Sequence, residues 1–256
     1  MIPIRDENRS STVPHITRTL LIINVVIFAV PLIYFILLPE NIAVGLFLDS
    51  LYSNFTMVPA DIVRGNNLYT LFTSMFLHLD IFHIGSNMLF LYVFGDNIED
   101  AFGHVRYLLF YLICGVAAAL AHTLSLTNAR DLLIPTLGAS GAISGVLGAY
   151  IVLYPKAKVL TLLLFRFAYL VPIPAAAFLG FWFILQLLFT SLNVGGGVAY
   201  WAHIGGFIAG VLFALVLRKM RKDGHSTQDR PDTVGRLSPV SSGATHNFCR
   251  QAPVQF

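Results

Sequence analysis

From Leu20 to Leu38 the chain carries no charged side chain. A helix of about 20 apolar residues is roughly 30 Å long, enough to cross the hydrocarbon core of a bilayer. Similar apolar blocks recur along the chain. Only 11% of its 256 residues are charged and 56% are hydrophobic, whereas a soluble domain averages about 25% charged. These features imply a multi-span, all-α membrane protein. The first block is too long and too far from the N-terminus for a cleaved leader, and no small-residue cleavage site follows it. It is therefore read as a retained span.

Six spans fit the pattern: Thr17 to Pro39, Leu79 to Ala101, His104 to Leu124, Gly138 to Leu153, Val171 to Leu192 and Val198 to Leu217. Residues 17–222 then form one membrane domain. Residues 1–16 and 223–256 are polar and are expected to be flexible flanks, the second too poor in apolar residues to build a core. The segment "KVLTLLLFRFAY" is expected near the inner surface ahead of the fifth span, with Pro172 and Pro174 suiting that span's first turn. The loop from Glu40 to Asn67 is apolar enough to lie in the interface or against the bundle rather than extend into water. Cys114 falls in an apolar span and Cys249 in the polar tail, so no disulfide between them is expected.

Basic residues set the orientation. With the N-terminus in the cytoplasm, the inner flanks hold Arg5, Arg9, Arg18, Arg106, Lys156, Lys158, Arg166, Arg218, Lys219, Arg221 and Lys222. The outer loops hold only Arg64 and Arg130. Both termini come out cytoplasmic, an arrangement that suits a prokaryotic plasma membrane and secretory-pathway membranes alike. The plasma membrane is the expected host, and a mitochondrial address is disfavoured because no convincing transit peptide precedes the first span. The net charge of +3 is explained by these flanks, and no nucleic-acid partner is expected.

In that orientation spans two, four and six all begin at the outer face. Near their starts lie His83 and Asn87, Ser140, and His203. Polar groups inside a bilayer are costly and usually face the bundle interior, where they find partners. Bringing the three spans together gathers these residues at one depth. A serine hydroxyl is a weak nucleophile until a base takes its proton, and a histidine suits that task. Attack on a carbonyl builds an oxyanion that needs preorganised donors. Ser140 opens a helix, where backbone N–H groups lack intrahelical partners. His83 and Asn87 are four apart and share a helix face. No acidic residue lies in the apolar part of these spans, which favours a Ser–His dyad over a triad. No metal or other cofactor is expected, because no H-E-x-x-H occurs and His78 and His83 are five apart.

The stretches "GASG" (from Gly138), "AHIGGFIAG" (from Ala202) and "HLDIFHIGSN" (from His78) together resemble the rhomboid intramembrane serine proteases. The resemblance runs from about Tyr69 to Leu217 and implies a six-transmembrane-helix, rhomboid-like bundle. It also implies roles. Ser140 would be the nucleophile, His203 the base, His83 and Asn87 the oxyanion donors, and His78 a residue lining a wet cavity. "GDNIEDAFG" resembles the family's G-x-x-x-E-x-x-x-G stretch, giving Glu99 a structural role at the inner end of the second span. Two departures stand out. Tyr69 and Thr70 occupy the place of a common Trp-Arg pair. Ser144 stands four residues after the nucleophile, where many members carry an aromatic side chain against the base.

Gly141 and Gly145, and likewise Gly206 and Gly210, have the G-x-x-x-G spacing that lets membrane helices approach closely. Close packing of spans four and six and catalysis are compatible readings, because tight approach is what brings Ser140 within reach of His203. The expected activity is an endopeptidase cutting single-span transmembrane substrates near the outer face. Substrate access is implied past the fifth span, whose aromatic stretch "FLGFWFILQLLF" would pack against span two as a gate, with Phe178 and Trp182 as its contacts. A non-catalytic escort of transmembrane helices would usually lack the serine or the histidine. A transporter would need intramembrane carboxylates for ion coupling.

Overall fold

Long apolar runs with few breakers satisfy their backbone internally, and in a bilayer only helices or closed barrels can do so. The computed structural model, which describes residues 1–8, 10–38, 41–164, 166–192 and 198–228, is accordingly mostly helical. Helix α1 spans His15–Leu37, α2 Ile42–Phe55, α3 Pro59–Val63, α4 Thr70–Thr73, α5 Ile81–Phe102, α6 His104–Ser125, α7 Ser140–Leu153, α8 Ala175–Ser191 and α9 Tyr200–Gln228. Three of these, α1, α6 and α9, are long and apolar enough on their own to cross a membrane. α5 meets the same test only together with Thr70–Phe76, from which it is bent by 96°. Polar residues lie at both its ends, His83 and Asn87 in the first turns and Asp96, Asn97, Glu99 and Asp100 in the last. α7 has 14 residues, about 21 Å of helix, and ten of them, Gly141 to Tyr150, are buried. Arg9 and the tail beyond Gln228, Cys249 included, lie outside the described residues. Cys114 is buried and free.

The N-terminal segment is not a featureless polar flank. Ile2–Asp6 forms strand β1, which joins β2 (Lys158–Leu164) and β3 (Ala168–Pro174) in an antiparallel sheet of order β1-β2-β3. Within the "KVLTLLLFRFAY" segment, Lys158–Leu164 and the last two residues, Ala168 and Tyr169, are therefore strand. Pro172 and Pro174 lie in β3 rather than in the first turn of a span. That is physically sound, because β3 is an edge strand and proline lacks the N–H an interior strand must donate. Helix α8 begins only at Ala175, whose N–H donates to the Ala157 carbonyl (2.8 Å). The sheet runs beside α5: Asp6 sits against Asn97, and Met1 and Ile2 share a hollow with Phe82, Ser86 and Phe90.

Acidic residues at the C-terminal end of α5 fasten this segment. The Glu99 carboxylate is buried and accepts from the N–H groups of Ile16 (2.8 Å) and Thr17 (2.7 Å), the Thr17 hydroxyl (2.7 Å) and His104 Nδ1 (2.6 Å). A carboxylate there satisfies free donors of the first turn of α1 and matches its dipole. Asp100 accepts from Ser11 and Thr12. Asp6 accepts from the Tyr150 hydroxyl and from Asn97 Nδ2 (2.8 Å). Burial pushes the Asp6 carboxyl up to about 6, with Asp96 adding to the rise and the Tyr150 hydrogen bond opposing it.

The loop helix α2 buries none of its residues. Ile42, Leu46, Phe47 and Phe55 are exposed. The core lies between α5, α6, α7 and α9. In it Phe94 stacks on Phe178 (6.2 Å between centroids) and meets Tyr150 edge-on (5.0 Å).

Candidate active site

Three helix starts and one turn position the site. Asp80 caps α5, its carboxylate accepting from the N–H groups of Phe82 (2.8 Å) and His83 (2.9 Å). This fixes His83 in the first turn. Ahead of α7 the chain turns at Gly138, with φ +124° and its N–H donated to the Ser74 carbonyl (2.9 Å). A Cβ at Gly138 would strain the backbone and stand 2.7 Å from His83 Nε2, so glycine lets the imidazole come up against the turn. Ser140 is the first residue of α7, and His203 lies in the first turn of α9.

The seam between α7 and α9 brings these two together. A Cβ at Gly206 would fall on the Gly141 carbonyl, one at Gly210 on the Gly145 carbonyl, and one at Gly148 on the Phe207 carbonyl. Backbone lies on backbone along three turns. At the N-terminal end of that seam His203 Nε2 is 2.9 Å from Ser140 Oγ, within the 2.6–3.2 Å reach a general base needs.

A cavity of about 990 Å³ opens at this point, its wall including His83, Asn87, Gly138, Ser140, His203 and Trp182. Asn87 is buried, and among the described residues its Nδ2 donates to nothing. An unpaired buried donor is costly unless something fills its place. Of the residues singled out from sequence, Ser140, His203, His83 and Asn87 thus meet around one space. His78 does not line it. Its buried ring stands behind His83, edge-on with centroids 5.0 Å apart. Ser144 is buried one turn below Ser140 and donates its hydroxyl to the Ser140 carbonyl (2.7 Å).

The sequence reading passed over Gln186, on α8. It is buried, and its Oε1 lies 2.9 Å from Nδ1 of His203. One turn earlier on the same helix, the Trp182 ring lies 5.9 Å from the His203 ring, tilted by 36°. The signal was present: Gln186 is the lone polar residue in "FLGFWFILQLLF", and a polar group in such a helix usually has a partner.

The described residues hold no cluster of three or more His, Cys, Asp or Glu with the geometry of a metal site.

Comparison with known proteins gives a consistent result. The family model for the Rhomboid domain matches residues 65–220. Over 153 residues the chain is 34% identical to Rhomboid protein 1, mitochondrial, of Saccharomyces cerevisiae, covering 57% of this chain and 41% of the yeast protein. RHOMBOID-like protein 6, mitochondrial, of Arabidopsis thaliana is 31% identical over 167 residues, 64% of this chain and 48% of that protein. Rhomboid protease GluP of Bacillus subtilis is 32% identical over 149 residues, 57% of this chain and 26% of that protein. The matched region thus spans less than half the length of each of these three relatives.

Proposed function

The chain belongs to the rhomboid family and is an integral membrane protein, and from that premise we propose that it is an intramembrane serine endopeptidase. Its substrates are single-span transmembrane proteins, cut near the outer face. Residues 17–222 form the catalytic membrane domain, a six-span bundle in which α5, α7 and α8 complete the set begun by α1, α6 and α9. The termini are cytoplasmic and the host membrane is the plasma membrane. The basic flanks support that orientation, while the yeast and one Arabidopsis relative carry mitochondrial names.

The observation that supports the reading most is the 2.9 Å separation of His203 Nε2 from Ser140 Oγ. With Nε2 unprotonated, His203 accepts the hydroxyl proton as Oγ attacks the scissile carbonyl. The resulting oxyanion is met by the free N–H groups at the start of α7 and by His83 and Asn87. His203 then returns the proton to the leaving amine. Water entering the cavity hydrolyses the acyl-enzyme with the same base. The substrate helix must unwind locally, because its carbonyls are otherwise tied up in hydrogen bonds.

The test is cleavage of a single-span substrate by the purified protein in proteoliposomes. Ser140→Ala and His203→Ala should each lower kcat by about 10³-fold or more. A fluorophosphonate should label the wild type and not Ser140→Ala. Retention of cleavage by Ser140→Ala would falsify the assignment.

A further inference from the structure

Resting on the dyad reading above, we infer that Gln186 is a positioning residue for His203, fixing its tautomer and orientation from α8. The two ends of the Gln186 amide differ in what they can bond to. Its Nε2 faces the Trp182 carbonyl, one turn back along α8, at 3.4 Å. A carbonyl oxygen only accepts, so the amide nitrogen belongs on that side and Oε1 is left for His203. Oε1 in turn only accepts, and it lies 2.9 Å from Nδ1. The proton of the neutral imidazole therefore sits on Nδ1. That leaves a lone pair on Nε2, which faces the Ser140 hydroxyl at 2.9 Å. The ring nitrogen opposite the functional one decides which tautomer is present, and a base in the wrong tautomer cannot accept the proton.

The residue takes up a task the sequence leaves open. Ser144 spends its hydroxyl on the Ser140 carbonyl, so α7 offers no aromatic face to the base. The contacts come instead from α8, with Trp182 against the ring face and Gln186 on Nδ1, and from Tyr200 edge-on at 6.4 Å. An amide suits this place. It orients the ring without adding a buried negative charge that would need its own desolvation. One consequence is mechanical: displacing the middle of α8 removes the Nδ1 acceptor, so the dyad is fully armed only with α8 seated.

The experiment compares wild type, Gln186→Leu and Gln186→Glu for kcat, KM and pH profile. In parallel, the ¹⁵N shifts of histidine-labelled protein report the tautomer, with the His203 signals identified by their loss in His203→Ala. Gln186→Leu should lower kcat by about tenfold to a hundredfold with little change in KM, the size expected for a misplaced catalytic group. Its His203 should no longer be held as the Nδ1–H form. Gln186→Glu restores the acceptor and should recover kcat at high pH. Its acid limb should move to higher pH, because a carboxylate favours the protonated imidazole. Wild-type kcat, pH profile and tautomer in Gln186→Leu would overturn the inference, and so would a kcat loss that Gln186→Glu neither rescues nor shifts in pH. The tautomer is read whether or not the protein cleaves. An inactive wild type with an Nδ1–H His203 that depends on Gln186 therefore sinks the protease reading alone.

Discussion

Helices α7 and α8 both touch His203, and they are held in opposite ways. α7 meets α9 through glycine faces, where carbonyls occupy the space a Cβ would need. Such a contact has no side chain to repack, and a close-packed interior transmits any intrusion directly. α8 is held by ring faces: Phe178 on Phe90 and Phe94 of α5, and Trp182 and Phe183 on Phe207 of α9. Its outer side is exposed at Phe181, Ile184, Leu187 and Leu188. The stiff seam fixes how far Ser140 is from His203. The softer helix supplies what the other side of the imidazole touches. A site divided this way keeps its reach constant while its readiness follows the position of one helix.

The largest predicted effect tests the stiff side. Gly206→Val should cost more than about 3 kcal/mol, beyond the usual range for overpacking, because backbone has to move. Cleavage should fall below detection and the thermal transition should drop sharply. Gly180 on α8 has nothing within 4 Å of an added Cβ. Gly180→Ala should leave activity unchanged and raise stability by up to about 1 kcal/mol through helix propensity. Equal outcomes for the two glycines would remove the distinction between the helices.

A smaller effect separates two aromatic residues that the sequence treats alike. Phe178 and Trp182 both read as gate contacts, yet their partners differ. Phe178 lies against α5, whereas Trp182 lies against His203. Phe178→Val should loosen the α5 contact and raise cleavage a few-fold, at a stability cost of about 2 kcal/mol. Trp182→Val should lower kcat by about tenfold, since it strips a face from the base. The measurement is kcat and KM on one substrate for both variants, beside their thermal midpoints. A rise in both would place Trp182 with the gate and not with the base.

How much of this was legible follows from where each signal lies. Ser140, His203, His83 and Asn87 stand out because each is polar in an apolar segment and each falls near the outer end of its span. Depth alone aligned them. The sheet was not legible. Ile2 pairs with Leu162 and Asp6 with Val159, partners more than 150 residues away, and no local period announces such pairing. Pro172 and Pro174 pointed to a helix start and are equally at home in an edge strand. Glu99 was legible as structural, but not its partners, the N–H groups of Ile16 and Thr17, which packing alone supplies. Gln186 was visible but its partner was not, since a single glutamine does not say which helix it faces.

The smallest predicted effect concerns the inner attachment of α8, which hangs from β3 and thus from a sheet riveted by Asp6 to α5 and α7. The Asp6 carboxyl is raised to about 6, chiefly by burial, above the roughly 3.9 expected in an unfolded chain. The folded state therefore binds more protons than the unfolded state between these values, and stability falls as pH rises through that window. The contribution is fully present below about 3.9 and is lost once pH passes about 6. Across this range Asp6 faces the Tyr150 hydroxyl, the Asn97 amide and the Asp96 carboxyl. Amide exchange at Ile2–Asp6 should accordingly slow as pH is lowered from 7 toward 5, after correction for the intrinsic exchange rate. Asp6→Asn should flatten that dependence while leaving the dyad geometry intact, and kcat at pH 7 should change by less than about twofold, as expected for a site away from the reacting groups. If Asp6→Asn instead lowered kcat as much as Trp182→Val, the inner attachment would be setting the base as firmly as α8 does. The two sides of His203 would then no longer differ in stiffness.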